Sequence, residues 1–302
     1  MTTNLHPESP ENHKAGFVSI VGKPNVGKST LMNALVGEQL SITTFKAQTT
    51  RHRIMGILNS DDFQIVYSDT PGMIDPKYEL HRSMMRFVST SLEDADIVLF
   101  VTDTTEAEID ENVVTRIGRV EAPVFVVLNK IDIADEAKVK DKMAFWQTTL
   151  NPKEIIPVSA LNGFNVRTVF EAILNHLPVH PAYFPKDELT DKPERFFASE
   201  IIREKIFLNY KEEVPYSCEV LILSFKEKPD IIVIHAEILV ERTSQRAIIL
   251  GHKGESIKRV GIQAREDLEK FFGKKVFLEQ FVKVEPDWRS KKQKLDQFGY
   301  NS

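Results

Sequence analysis

Cysteine is almost absent from this chain: Cys218 is the only one in 302 residues. No internal disulfide can form, so a reducing cytosol is the expected compartment. Cys218 itself is expected as a small, half-buried strand residue and not as a nucleophile. Long apolar runs are also missing. The runs "DIVLFV" and "APVFVVL" are strand-sized, well short of the roughly 20 residues that span a bilayer. The opening "MTTNLHPESPENHKAG" has no hydrophobic signal core and is expected as a disordered tail over residues 1–14. Positive charge is not in excess either. A net charge of −5 argues against a protein coated in nucleic acid, although an average can hide a local basic surface. Repeats and low-complexity tracts are lacking. What is present is ordinary globular composition, 42% hydrophobic and 27% charged, on a chain long enough for two cores.

From about residue 15 to 178, strand-like and helical runs alternate. Strands are expected over 17–21, 53–58, 63–68, 96–101, 123–128 and 155–158, and helices over 28–37, 78–93, 110–119, 138–149 and 165–176. That alternation predicts an α/β sheet with helices on both faces, whose ligands sit at the carboxyl ends of the strands. Residues 178–195, "PVHPAYFPKDELTDKPER", hold four prolines among many charges and read as a linker. Beyond it the order becomes α-β-β-α-α-β, which predicts a compact, smaller α+β domain.

The segment "SIVGKPNVGKSTLMNAL", residues 19–35, joins a short apolar strand to a helix. Gly22, Lys23, Pro24, Asn25, Val26, Gly27, Lys28, Ser29 and Thr30 lie where the strand ends and the helix begins. Glycines there let backbone N–H groups curl around phosphate oxygens, and the helix N-terminus adds unpaired donors. Lys28 would reach the β- and γ-phosphates, and the Ser29 hydroxyl would ligate Mg²⁺. The bland alternative is a glycine-rich turn with an incidental lysine.

Three later segments name the base. In "VYSDTPG", Asp69 follows an apolar strand and can hold Mg²⁺ through water, with Thr70 and Pro71 leading to Gly72, whose N–H can bond the γ-phosphate. In "FVVLNKID", Asp132 can accept from both guanine N1–H and the exocyclic amine. Adenine offers neither donor, so a buried Asp132 would be left unpaired beside it. Asn129 would tie this segment to the loop and the base, the Lys130 stem would lie along the ring, and Ile131 completes the turn. In "IPVSA", Ser159 shapes a turn that offers the Ala160 N–H to guanine O6. Alone, each is better explained as a solvated turn; in this order they read as a guanine site. Where a water-orienting glutamine could follow Gly72 stands Met73, expected as apolar packing in a mobile loop. Turnover should be slow. His52, His81, Arg51 and Arg53 are expected at the surface, and no catalytic base is assigned.

In the second domain, "AIILGHKGESIKRVGIQAR" joins two helices through Gly251, His252, Lys253 and Gly254. The glycines would let the backbone approach a nucleic-acid strand, and Lys258 and Arg259 would extend the basic face. This is the Gly-x-x-Gly clamp of a KH domain, which grips single-stranded backbone beside a base-reading groove. A plainer reading has Gly251 end one helix and Gly254 start the next. Ile248, Ile249, Ile257 and Ile262 are expected in the core, some of them lining that groove.

Together the motifs resemble those of the Era family of bacterial ribosome-assembly GTPases, across residues 15 to 285. The resemblance implies a P-loop GTPase domain over 15–178, a linker over 179–195 and a KH RNA-binding domain with a C-terminal tail over 196–302. It implies GTP and GDP as ligands, Mg²⁺ as cofactor, and the 3′ end of small-subunit ribosomal RNA as target during maturation of the small ribosomal subunit. In the family a threonine of "KAQTTRHRI" closes over the γ-phosphate and the metal. The role goes to Thr50, with Thr49 the rival, so Ser29, Thr50 and Asp69 form the metal set and Lys28 and Thr50 the catalytic pair. Asn25 either helps hold K⁺, as in related GTPases, or braces the loop. A monomer is expected, and the resemblance allows loose association with the inner face of the cell membrane. Two other classes stand as alternatives: a GTPase whose KH-like domain binds protein, against which the intact clamp argues, and a metabolic kinase, against which the guanine-reading segments argue.

Overall fold

The computed structural model describes residues 12–46, 48–106 and 110–301; the expected N-terminal tail falls largely outside them. The described chain divides into two compact units. One comprises the residues up to Ser41, Thr50–Ile74 and Met85–Asp191, and the other Ile42–Thr49, Asp75–Met84 and the chain from Lys192 onward.

The first unit is built on six strands: β1 (Lys14–Val21), β2 (Ile54–Asn59), β3 (Phe63–Asp69), β4 (Ile97–Asp103), β5 (Val124–Asn129) and β6 (Glu154–Pro157). Their order is β2-β3-β1-β4-β5-β6. Only the edge strand β2 is antiparallel, paired to β3. Strand β4 is buried along its whole length, as a strand covered on both faces must be. Helices α1 (Lys28–Val36), α2 (Glu79–Glu93), α3 (Glu111–Ile117) and α4 (Glu136–Leu150) connect successive strands, the start of α2 being counted with the second unit, and α5 (Val166–His176) follows β6. All of these lie within a few residues of the expected elements.

The proline-rich segment before Asp191 does not hang free. Leu189 O accepts from Ile57 N at 2.8 Å, and Tyr183 N and Phe184 N both donate to Gln64 Oε1, at 2.7 and 2.9 Å. Gln64 is fully buried, and these bonds satisfy an amide that would otherwise be stranded there. The same segment covers the exposed edge of β2.

The second unit holds α6 (Glu194–Asn209), β7 (Glu219–Glu227), β8 (Ile231–Val240), α7 (Thr243–Leu250), α8 (Glu255–Phe272), β9 (Lys275–Val284) and a short α9 (Lys292–Gln297). Strand β8 is central, antiparallel to β7 and parallel to β9. Its alternate residues Ile232, Ile234, Ala236 and Ile238 face a core shared with Ile202 and Ile206 of α6 and Val260, Ala264 and Leu268 of α8, the two periodicities expected of strand against helix. Cys218 is fully buried just before β7, not half-buried within it, and its thiol contacts the Val214 carbonyl. Among the described residues, no helix is long and apolar enough to cross a membrane.

Candidate functional site

The carboxyl ends of β1, β3, β4 and β5 carry the polar groups of the first unit. Gly27 caps α1 with φ 96°, a left-handed value that favours glycine. A side chain there is also excluded sterically, because a Cβ would come within 2.2 Å of Asn129 Nδ2. Lys28 is buried and donates to the Lys23 carbonyl across the loop at 2.8 Å. Burial lowers its ammonium to about 8, against the opposing charges of Asp69 and Glu106. Met73 N donates to the Gly22 carbonyl at 2.9 Å, so the segment after β3 is tied to the phosphate loop. The Met73 side chain is buried, packed rather than presented to a reacting group.

Ser29, Thr50 and Asp69 come together. Ser29 Oγ donates to Asp69 Oδ2 at 2.6 Å, which leaves the Thr50 hydroxyl to donate to Ser29 Oγ at 2.8 Å. Thr49 points elsewhere, with its hydroxyl on Thr44 Oγ1 and the Lys46 carbonyl. Asp69 is wholly buried, and its Oδ1 makes no hydrogen bond of normal geometry, although the Ser41 hydroxyl and the Thr70 backbone lie close enough to favour the charged carboxylate. Burial raises its carboxyl, against the opposing Ser29 hydrogen bond and Lys28 charge. A buried carboxylate oxygen held only by such weak donors gains from a cation that completes it. Two hydroxyls and this carboxylate form the hard oxygen set that Mg²⁺ takes together with water and phosphate. The residues fit the metal.

The base-reading segments converge from β5 and β6. Asn129 Nδ2 donates to the Val26 carbonyl at 2.8 Å, and its Oδ1 accepts from Ala160 N at 2.9 Å. Here the Ala160 N–H serves Asn129, whereas the sequence assigns it to guanine O6. Asp132 is exposed, not buried, because it sits on a one-turn 3₁₀ segment, Ile131–Ile133, at the rim of the sheet. Thr70 is buried beneath the site with its hydroxyl on the Ile20 carbonyl.

The expectation that Arg51, Arg53, His52 and His81 lie at the surface is wrong: all four are buried. Arg53 donates to Ser68 Oγ and Asp94 Oδ2, both at 2.6 Å. His81 lies against the Tyr78 ring, with centroids 3.9 Å apart. Partners of this kind let charged and polar groups enter a core. Sequence reading also missed Asp103 and Thr104 at the end of β4. Asp103 Oδ2 accepts from Lys130 Nζ at 2.5 Å, and the Thr104 hydroxyl donates to the Lys130 carbonyl at 3.1 Å. The available signal was an aspartate closing an otherwise apolar strand, "DIVLFVTD".

In the second unit, Gly251, Lys253 and Gly254 all have positive φ, at 69°, 48° and 81°. A Cβ on Gly251 would lie 2.2 Å from Ser256 Oγ, so the loop cannot carry a side chain there. His252 and Lys253 form a short 3₁₀ turn and are exposed, as are Lys258 and Arg259. Arg259 is partly engaged, donating to Asn209 Oδ1 at 3.0 Å. Next to the turn lies a groove of about 310 Å³ between α8 and β9, with Ile257, Ile262 and Leu278 as apolar walls and Lys258 and Arg265 as charged ones. Of the other isoleucines considered, Ile249 is buried in the core and Ile248 is half exposed.

Residues 17–130 match a family described as 50S ribosome-binding GTPase, and residues 213–289 match the KH domain. GTPase Era of Geotalea daltonii is 45% identical over 289 residues, covering 95% of this chain and 97% of the relative. The chloroplastic GTPase ERA1 of Zea mays is 46% identical over 297 residues, covering 96% of this chain and 71% of the relative. Among solved structures, Era in complex with MgGDPNP and nucleotides 1506–1542 of 16S ribosomal RNA superposes with a TM-score of 0.92, at 42% identity, covering 96% of this chain and all of that one. An Aquifex aeolicus Era variant bound to GDP·AlF₄⁻ matches with the same TM-score, identity and coverage.

Proposed function

The chain belongs to the Era family of GTPases, and we propose that it is a slowly hydrolysing GTP switch that binds the 3′ end of small-subunit ribosomal RNA and assists maturation of that subunit. The observation that carries the first half is the Ser29–Thr50–Asp69 chain with its weakly satisfied Asp69 Oδ1, in the same unit as the Asn129 tie between base segment and phosphate loop. What supports the second half is the exposed His252–Lys253 turn beside an apolar-walled groove, a layout suited to single-stranded RNA.

In this reading Lys28 binds the β- and γ-phosphates, giving up its bond to the Lys23 carbonyl. Ser29, Thr50 and Asp69 hold Mg²⁺, which when bound neutralises phosphate charge. With its hydroxyl on Ser29, Thr50 stands where its segment would sense the γ-phosphate. Buried Met73 neither takes nor gives a proton, and no described side chain is assigned as general base, which fits slow turnover. Asn25, exposed in the phosphate loop at φ 64°, would be the residue that helps hold K⁺; bracing the loop is the alternative. The compartment this reading implies is the cytosol, where a single buried thiol needs no oxidising environment.

The test combines hydrolysis of GTP and ATP with filter binding to the 3′ end of small-subunit ribosomal RNA, with and without GTP. Hydrolysis confined to GTP and RNA affinity tuned by nucleotide are expected. Binding of RNA absent in every nucleotide state would favour a protein partner for the KH domain instead.

A further inference from the structure

Lys130 is held at both ends by residues that none of the nucleotide motifs contains. It follows β5 in the left-handed conformation, φ 59°, which is unfavourable for a non-glycine residue and so needs support. Thr104, fully buried, donates its hydroxyl to the Lys130 carbonyl at 3.1 Å. Asp103, also buried, accepts the Lys130 ammonium on Oδ2 at 2.5 Å. The register of the sheet sets this up: Asp103 pairs with Asn129 across β4 and β5, so the residue after Asn129 emerges beside the carboxylate.

The other oxygen of Asp103 is fully used. Oδ1 accepts from Thr105 N at 2.8 Å, Thr105 Oγ1 at 2.7 Å and Glu106 N at 3.1 Å. These bonds fold residues 103–106 into a turn and fix the direction of Oδ2. Burial by itself would raise the Asp103 carboxyl; the bonds from Lys130 and Thr105 outweigh it and hold the group below the usual carboxylate range. The carboxylate is therefore a fixed anion aimed at one ammonium.

We propose that Asp103 is a positioning residue for the purine base, acting through Lys130: it pins the ammonium so that the four-carbon stem stays extended as a flat apolar cover for the ring, with Thr104 setting the backbone from which the stem departs. A free lysine samples many rotamers, and ordering it costs side-chain entropy. With the ordering already done in the folded protein, that cost is not met again on binding. Asp103 touches neither base nor phosphate. Its effect should fall on affinity, equally for GTP and GDP, and not on the rate of the bound complex. The inference rests on the guanine-nucleotide reading; a wild-type chain that fails to bind GDP would sink that reading, whereas the variants below address Asp103 alone.

The experiment measures dissociation constants of the full chain for GDP, GTP and inorganic tripolyphosphate, together with hydrolysis at saturating GTP. Asp103→Asn keeps an acceptor for Thr105 and Glu106 and puts an amide NH2 in place of the oxygen facing Lys130, which removes both the charge and the acceptor there. It should weaken GDP and GTP about tenfold, equivalent to roughly 1.4 kcal/mol, with tripolyphosphate affinity and saturated turnover within twofold of wild type. In a Lys130→Met background, Asp103→Asn should add nothing, since the pair acts as a unit. Thr104→Val, which preserves shape, should weaken GDP about threefold and gives an independent reading if the first variant folds poorly. Equal loss of tripolyphosphate and GDP affinity, or additive effects in the double variant, would overturn the proposal by showing that Asp103 only shapes its loop.

Discussion

The side-chain amide of Asn129 donates to the carbonyl of Val26 at 2.8 Å, and this buried bond ties the base-reading segment to the phosphate loop. The same residue takes up Ala160 N–H, so three loops meet at one side chain. Asn129→Ala strands a carbonyl and an N–H, at about 1–3 kcal/mol each where they stay dry. Affinity for GTP and GDP should fall together by at least tenfold, with a lower melting temperature. Equilibrium binding and thermal unfolding read both effects. Intact affinity would mean that the loops are placed independently.

Much of this arrangement is legible in the sequence, because strands buried on both faces announce themselves as apolar runs and the motifs fall at their ends. Strand β4 is expected over 96–101 and found over Ile97–Asp103. What escaped is polar and buried. Arg53 enters the interior because Ser68 and Asp94 meet its guanidinium, and those partners lie 15 and 41 residues away in sequence. Gln64 likewise recruits the backbone of Tyr183 and Phe184, which turns a segment read as a linker into part of the first unit. Asp103 was passed over because an aspartate ending a strand looks like any turn former. Pattern reveals burial of apolar residues well; it does not reveal which distant group satisfies a polar one.

Asp132 lies exposed at the rim, free of the burial that was to enforce its selectivity, so its preference for guanine must arise once the base covers it. Asp132→Asn should then favour xanthosine triphosphate over GTP, because the amide can donate where the carboxylate accepted. The mismatch with GTP should cost on the order of 1–3 kcal/mol. Competition between the two nucleotides measures it, and an unchanged order of preference would place base selection elsewhere.

Thr50 rather than Thr49 stands against Ser29. Thr50→Ala should therefore leave GDP affinity within twofold and lower saturated GTP hydrolysis by tenfold or more, while Thr49→Ala should do much less. Single-turnover hydrolysis with matched Mg²⁺ titrations separates them. A larger loss in Thr49→Ala would mean that the segment shifts by one residue when GTP binds.

Met73 is packed in the interior, and Asn25 is exposed on the phosphate loop. Met73→Gln should leave the slow rate within a small factor, since a buried amide cannot orient an attacking water from there. If Asn25 helps hold K⁺, wild-type turnover should be faster in K⁺ than in Na⁺, and Asn25→Ala should remove the difference. Equal rates in the two salts, with Asn25→Ala harmless, leave only a bracing role.

His252 and Lys253 project from a turn whose flanking glycines hold positive φ. Replacing both with aspartate puts two negative charges where a phosphate backbone would approach. Because both side chains are exposed, melting temperature and basal GTP hydrolysis should stay at wild-type values. RNA affinity should fall at least tenfold at low salt, and the slope of log affinity against log salt should flatten, as cationic contacts are removed. If nucleotide and RNA are coupled, wild type should bind RNA more tightly with GTP than with GDP, and RNA should favour GTP by the same factor. Measurement in both nucleotide states at two salt concentrations separates the outcomes. A folded double variant with wild-type affinity would remove the clamp from the RNA interface. Equal wild-type affinities in GTP and GDP would spare the clamp and exclude the switch.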